Sequence, residues 1–274
     1  MNRNIMRLIA FSLFIATTIG LSAQIDYFAL AEEADKAIKE HRWRDAENVI
    51  IDALKLEPQN PSNALLLSNL GIVRFNLGED SLALSALKEA HRIAPASVVV
   101  LENRAKVYRS MGRDKDAYND YTRIIALDST LLEPRFLHCM IALNYLDLGA
   151  AQTDIDMLDK MAPDSEELAI ARASMYQTTG RLDKAVEQYT ILIEKTPSAV
   201  YYGGRAACLL MLERYGEAAD DIAAGLKLDE SDSELYLYRA YLHKCRYHHE
   251  DAENDKRKAI SLGADPKRAA ALLK

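Results

Sequence analysis

Seven small residues recur along this chain at nearly constant intervals: Ala46, Ala83, Ala117, Ala151, Ala185, Ala218 and Ala252 stand 37, 34, 34, 34, 33 and 34 positions apart. Twelve residues before each is a second small residue: Ala34, Gly71, Ala105, Cys139, Ala173, Ala206 or Ala240. Four residues after come Ile50, Leu87, Tyr121, Ile155, Tyr189 and Ile222, and twelve after, in four of the seven units, come Pro58, Pro95, Pro163 and Pro197. Such self-similarity confines the chain to repeat architectures, in which one unit cannot bury its own apolar face and has to stack on its neighbours.

The spacing within a unit predicts two packed helices. Small side chains let two helix axes approach closely, and apolar residues at i, i+3, i+4 and i+7 give each helix one buried face. Gly78, Gly112 and Gly180 fall between the two small positions and end the first helix. The recurring proline stops the second helix or opens the next. The expected fold class is all-α.

The stretches NLGIVRFNLGEDSLALSALKEAHRIAP (69–95) and ARASMYQTTGRLDKAVEQYTILIEKTP (171–197) resemble the tetratricopeptide repeat. In the second, Ala169, Arg172, Ala173, Tyr176, Gly180, Ala185, Tyr189, Leu192 and Pro197 occupy the positions by which that family is marked. The resemblance implies a right-handed superhelical solenoid of about seven helix-turn-helix repeats, at 27–60, 64–97, 98–131, 132–165, 166–198, 199–232 and 233–266. Residues 24–266 form the array in this reading, and 267–274 a short cap with Asp265 as N-cap and Pro266 at the first helical position. The fourth unit departs from the pattern: Leu146 stands where a turn glycine is usual and Gly149 comes three residues late, which predicts a longer first helix or a shifted turn.

The N-terminal segment reads differently. Arg3 and Arg7 precede an apolar run from Leu8 to Leu21, and Leu21-Ser22-Ala23 supplies small residues before a cut. This is the plan of a secretory signal peptide over 1–23, and the run is shorter than the roughly 20 residues of a membrane-spanning helix. The expectation is cleavage after Ala23, export, and a periplasmic or cell-envelope location. Removal of Arg3 and Arg7 would take the formal charge from −7 to −9. An acidic chain without a basic stripe argues against nucleic acid as a partner, because phosphate binding needs clustered Lys and Arg.

Catalytic signatures are weak. Cys139, Cys208 and Cys245 are odd in number and widely spaced, so no disulfide framework is expected. The carboxylates of RDAEN (44–48), GEDS (78–81) and DDIAAG (220–225) read as helix surface, and Gly203-Gly204 lacks the preceding strand of a dinucleotide fingerprint. The stretch YLHKCRYHHEDAEND (241–255) gathers His243, Cys245, His248, His249, Glu250 and Asp251. In the repeat register it is a helix end and a turn, so it reads as a solvated turn, with no metal, no cofactor and no enzymatic activity expected. A metal- or thiol-dependent activity around Cys245, His248 and His249 is the alternative.

The family resemblance also implies where a partner would bind. First helices line the concave face of such arrays, and the positions that point into it are Leu65, Ser68, Ile72 and Phe75; Val99, Glu102, Lys106 and Arg109; Glu133, Phe136, Met140 and Leu143; Glu167, Ile170, Ser174 and Gln177; and Glu234, Leu237, Tyr241 and Lys244. The candidate groove is Leu65, Ile72, Phe75, Lys106, Arg109, Phe136, Met140, Ile170, Ser174 and Tyr241, apolar in its middle with two cations on one flank. It suits a hydrophobic peptide or amphipathic helix. Asn69 and Asn103 are compatible with the carboxylate clamp of one family subgroup, but Ala31, Asp35, Ser68 and Ile72 stand where that clamp requires Lys and Asn. A protein scaffold that associates with an envelope complex is the leading expectation; a structural subunit held by its convex face is a further one.

Overall fold

A computed structural model describes residues 26–273; the leader read at 1–23 lies outside them. The described residues hold fifteen helices and no strand. In chain order these are α1 (26–39), α2 (Trp43–Leu56), α3 (Asn63–Asn76), α4 (Asp80–Ile93), α5 (Val98–Ser110), α6 (Asp114–Leu127), α7 (Leu132–Asn144), α8 (Leu148–Met161), α9 (Glu166–Thr178), α10 (Leu182–Lys195), α11 (Ala199–Met211), α12 (Tyr215–Leu228), α13 (Ser233–Cys245), α14 (His249–Ser261) and α15 (Pro266–Leu272). They pair into seven helical hairpins followed by α15, whose N-cap Asp265 accepts from the backbone of Lys267 and Arg268.

The two small positions are where the helices of a hairpin touch. Ala34, Ala105, Cys139, Ala173 and Ala206 are fully buried on the first helices, opposite equally buried Ala46, Ala117, Ala151, Ala185 and Ala218 on the second, and Ala240 faces the slightly less buried Ala252. The Cys139 thiol lies 3.6 Å from the carbonyl oxygen of Ala151, its partner twelve residues on. At Gly71 a Cβ would come within 2.4 Å of Leu87 Cγ, so a larger residue there forces the hairpin open.

Every hairpin closes through one left-handed residue. Gly78, Gly112 and Gly180 take it at φ 76, 68 and 70, and His41, Leu146, Glu213 and Tyr247 take it at 55, 59, 57 and 61. The residue after each donates its N–H to the carbonyl five positions back, as Arg113 does to Tyr108 and Asp147 to Ala142, at 2.8–2.9 Å in all seven. This satisfies carbonyls that the helix end leaves open. The fourth hairpin is therefore not shifted: α7 has 13 residues, like α5, α9, α11 and α13, and Gly149 lies inside α8. Backbone hydrogen bonding overrides the residue preference, since left-handed geometry costs a non-glycine residue only about 1 kcal/mol.

The chain divides into two compact units between Pro134 and Arg135. In the first, Tyr27, Ala34 and Ala37 of α1 pack with Ala46, Ile50 and Ala53 of α2 and with Leu66, Leu70 and Val73 of α3. α3 also packs against α4 and α5. In the second, Leu209, Leu210, Ile222, Leu226, Leu235 and Leu242 join α11, α12 and α13. Gly204 admits the Tyr189 ring there; a Cβ would fall 2.4 Å from Tyr189 Cζ. Leu237, Ala259, Ala264 and Ala269 seat α15 on α13 and α14. Within each unit, then, a hairpin uses its neighbour as the second half of its core.

Candidate functional site

In the first unit the residues of the candidate groove lie on α3 and α5. Leu65, Lys106 and Arg109 are exposed, and Ile72 and Phe75 are half-buried. At the equivalent position in the first turns of α1, α3 and α5 stand Phe28, Leu65 and Val99, at 52%, 54% and 50% exposure. Neighbouring first helices are tied together below that row. Asn69 donates to the Asp35 carboxylate at 3.3 Å, and Asn103 donates to the Ser68 hydroxyl at 3.0 Å. Both asparagines that would suit a carboxylate clamp are thus engaged in joining one repeat to the next. Ser68 is buried and faces this seam rather than the groove.

The polar flank of the same unit is a charged cluster. Burial pushes the Tyr121 hydroxyl up, and the hydrogen-bonded Arg109 guanidinium partly offsets that rise. Burial, followed by the Glu133 carboxylate, raises Glu102 above the usual carboxylate range. Glu102 and Glu133, which the sequence reading placed at groove positions without assigning them to the candidate groove, thus add acidic groups to the flank of Lys106 and Arg109.

In the second unit Phe136, Met140, Ile170, Ser174 and Tyr241 are all half-buried. Leu143 and Leu237 are buried and belong to the core, so they present nothing to a partner. Gln177, from the same set of positions, accepts the Tyr189 hydroxyl proton at 2.9 Å.

The carboxylates read as helix surface need correction. Glu47 of RDAEN is buried and accepts from Arg44 at 2.6 Å and Arg74 at 2.9 Å. Burial acts to raise its pKa, but these two guanidinium groups outweigh it and hold the carboxyl below the usual range. Asp221 of DDIAAG is buried and takes two hydrogen bonds from Arg205, at 2.8 and 2.6 Å. The same pair recurs as Arg104 with Asp120 and Arg239 with Asp255, always sixteen residues apart. In the fourth hairpin His138 takes the place of the arginine, 2.6 Å from Asp154, with Arg135 at 3.2 Å from the same carboxylate. The signal was present as a basic residue and an aspartate at constant spacing. It was missed because charge on a helix is usually solvated.

Two of the three thiols are buried. Burial pushes Cys139 up to about 12 and Cys208 up to about 11, the opposite of what a nucleophile or metal ligand requires. Cys245 is half-buried, and contact with it raises the hydroxyls of Tyr215 and Tyr241. In the histidine-rich stretch α13 ends at Cys245 and α14 begins at His249, so His249 and Glu250 are helical and Tyr247 carries the left-handed turn. The residues brought together are His243, His248 and Asp251; Cys245 and His249 are not among them.

The family model of the tetratricopeptide repeat matches residues 31–98 and 170–243. The crystal structure of a tetratricopeptide repeat protein from Parabacteroides merdae superposes with a TM-score of 0.81 and 26% identity, covering 90% of this chain and 97% of that one. Heat shock protein STI1 of Saccharomyces cerevisiae is 34% identical over 89 residues, 32% of this chain and 15% of that protein. DnaJ homolog subfamily C member 7 of Homo sapiens is 34% identical over 94 residues, 34% of this chain and 19% of that protein. The chain therefore spans less than a fifth of the length of these curated relatives.

Proposed function

This chain belongs to the tetratricopeptide repeat family, and from that premise we propose that it is a scaffold in a bacterial cell envelope that holds an apolar peptide segment or an amphipathic helix against its first helices. Repeats of this family generally mediate protein–protein interaction, and the fold is typically non-catalytic. The observation that carries the groove reading is the row Phe28, Leu65 and Val99, three large apolar side chains about half exposed at equivalent positions. A solenoid core does not need them there. Half-buried Phe136, Met140, Ile170 and Tyr241 supply similar surface in the second unit. Apolar surface of this kind favours a partner whose own apolar face is periodic, and Lys106 with Arg109 would orient its acidic end. Export rests on the N-terminal leader pattern.

The test is affinity capture from envelope fractions after brief cross-linking, with the wild-type chain and with Leu65→Glu plus Val99→Glu in parallel. Both baits are first matched by circular dichroism. A protein retained by wild type and lost by the double variant is the expected result. A protein retained equally by both moves the interface to the second helices or the termini and overturns the groove assignment. A chain missing from the envelope fraction overturns the location.

A further inference from the structure

The turn between α13 and α14 gathers side chains that the groove does not use. One ring nitrogen of His243, one of His248 and a carboxylate oxygen of Asp251 lie within 4.8 Å of one another. Their burial differs in a useful way. His243 is half-buried on the last turn of α13, whereas His248 and Asp251 are exposed at the start of α14. The first is held in place and the other two are free to adjust. The rings of His243 and His248 are tilted by 36° with centroids 5.9 Å apart, so they converge without stacking.

His243 has a second feature that points to a ligand. Its Nδ1 is buried and has no hydrogen-bond partner. Its Nε2 lies 3.6 Å from Asp255 Oδ2, and Asp255 is fixed by two 2.7 Å hydrogen bonds from Arg239. The recurring arginine–aspartate pair, structural in the earlier hairpins, here stands behind a histidine. A carboxylate close to the ring is a common companion of a metal-binding histidine.

We propose that one ring nitrogen of His243, with His248 and Asp251, binds a borderline transition-metal ion of the zinc class, with solvent completing a tetrahedral shell. Two imidazoles and one carboxylate match that class; an all-oxygen set would suit calcium or magnesium. The electrostatics are balanced for a cation. The N-terminus of α14 opposes it, whereas the C-terminal carbonyls of α13 and the carboxylates of Glu250, Asp251 and Asp255 favour it. The ion links the end of one helix to the first turn of the next, so its effect is to brace the last hairpin. No reaction is assigned to it.

The test uses the tag-free chain, first stripped with a chelator, and zinc chloride as the probe, read by isothermal titration calorimetry and by thermal unfolding. One zinc ion per chain and a higher melting temperature with zinc are expected. His248→Ala and Asp251→Ala, both at exposed residues and each compared with and without zinc, should each weaken binding by about tenfold or more and abolish the thermal shift. His249→Ala, outside the cluster, should bind as wild type does. Absence of zinc binding by the wild type overturns the proposal. So does equal binding by His248→Ala and Asp251→Ala, and so does loss of binding in His249→Ala.

Discussion

The Arg104 guanidinium donates two hydrogen bonds to the Asp120 carboxylate, at 2.9 and 2.6 Å, from side chains only 12% and 6% exposed. The pair joins the first and second helices of the third hairpin. In the second hairpin the equivalent positions hold Leu70 and Ala86, both buried. The protein thus contains an ionic and an apolar solution to the same packing problem. Asp120→Ala leaves a buried cation unpaired and should cost about 3–5 kcal/mol. Arg104→Leu combined with Asp120→Ala reproduces the second hairpin and should cost less than Asp120→Ala alone. Urea unfolding of the three proteins tests this; a double variant less stable than the single one refutes it.

Leu146 and Gly112 occupy the same left-handed turn position in adjacent hairpins, at φ 59 and 68. Leu146 is exposed, and a Cβ on Gly112 would meet nothing within 4 Å, so backbone strain alone separates the two. Leu146→Gly should stabilise the chain by about 0.5–1 kcal/mol, the relief of strain exceeding the added freedom of the unfolded glycine. Gly112→Ala should destabilise it by about 1 kcal/mol. Matched melting curves that show no change in either variant would contradict the strain argument.

Glu102 is raised by burial and by Glu133. A raised carboxylate pKa means that the folded chain binds more protons than the unfolded chain between the usual carboxylate value and the raised one. Stability then falls as pH rises through that window, and the penalty is complete at neutral pH. Glu102→Gln should therefore be more stable than wild type at pH 7, with the advantage narrowing as pH is lowered to the usual carboxylate range. Denaturation curves at a series of pH values provide the check, and a constant difference across the series would count against it.

The repeat was legible because its signal is steric. Ala34 with Ala46, or Cys139 with Ala151, must be small wherever two helix axes meet, and no surface demand competes at those positions. The turns were legible only where glycine marks them. Leu146, Glu213, His41 and Tyr247 adopt the same geometry without any residue preference for it, because the hydrogen bond to the carbonyl five residues back outweighs a modest strain. Ser68, Leu143 and Leu237 show the same limit at the groove: their helical phase matches that of exposed neighbours, and only packing from adjacent helices buries them.

The period, the helix pairs and the all-α class follow from the sequence by itself, since each depends on contacts within about 34 residues that repeat seven times. Which charges are buried did not. Asp120, Asp221 and Glu47 look like any helical carboxylate in the chain, and their burial depends on an arginine brought in from another helix. The cluster at His243, His248 and Asp251 is of the same kind. Residues five and eight positions apart converge there only because the chain turns between α13 and α14, and that convergence is a property of tertiary structure.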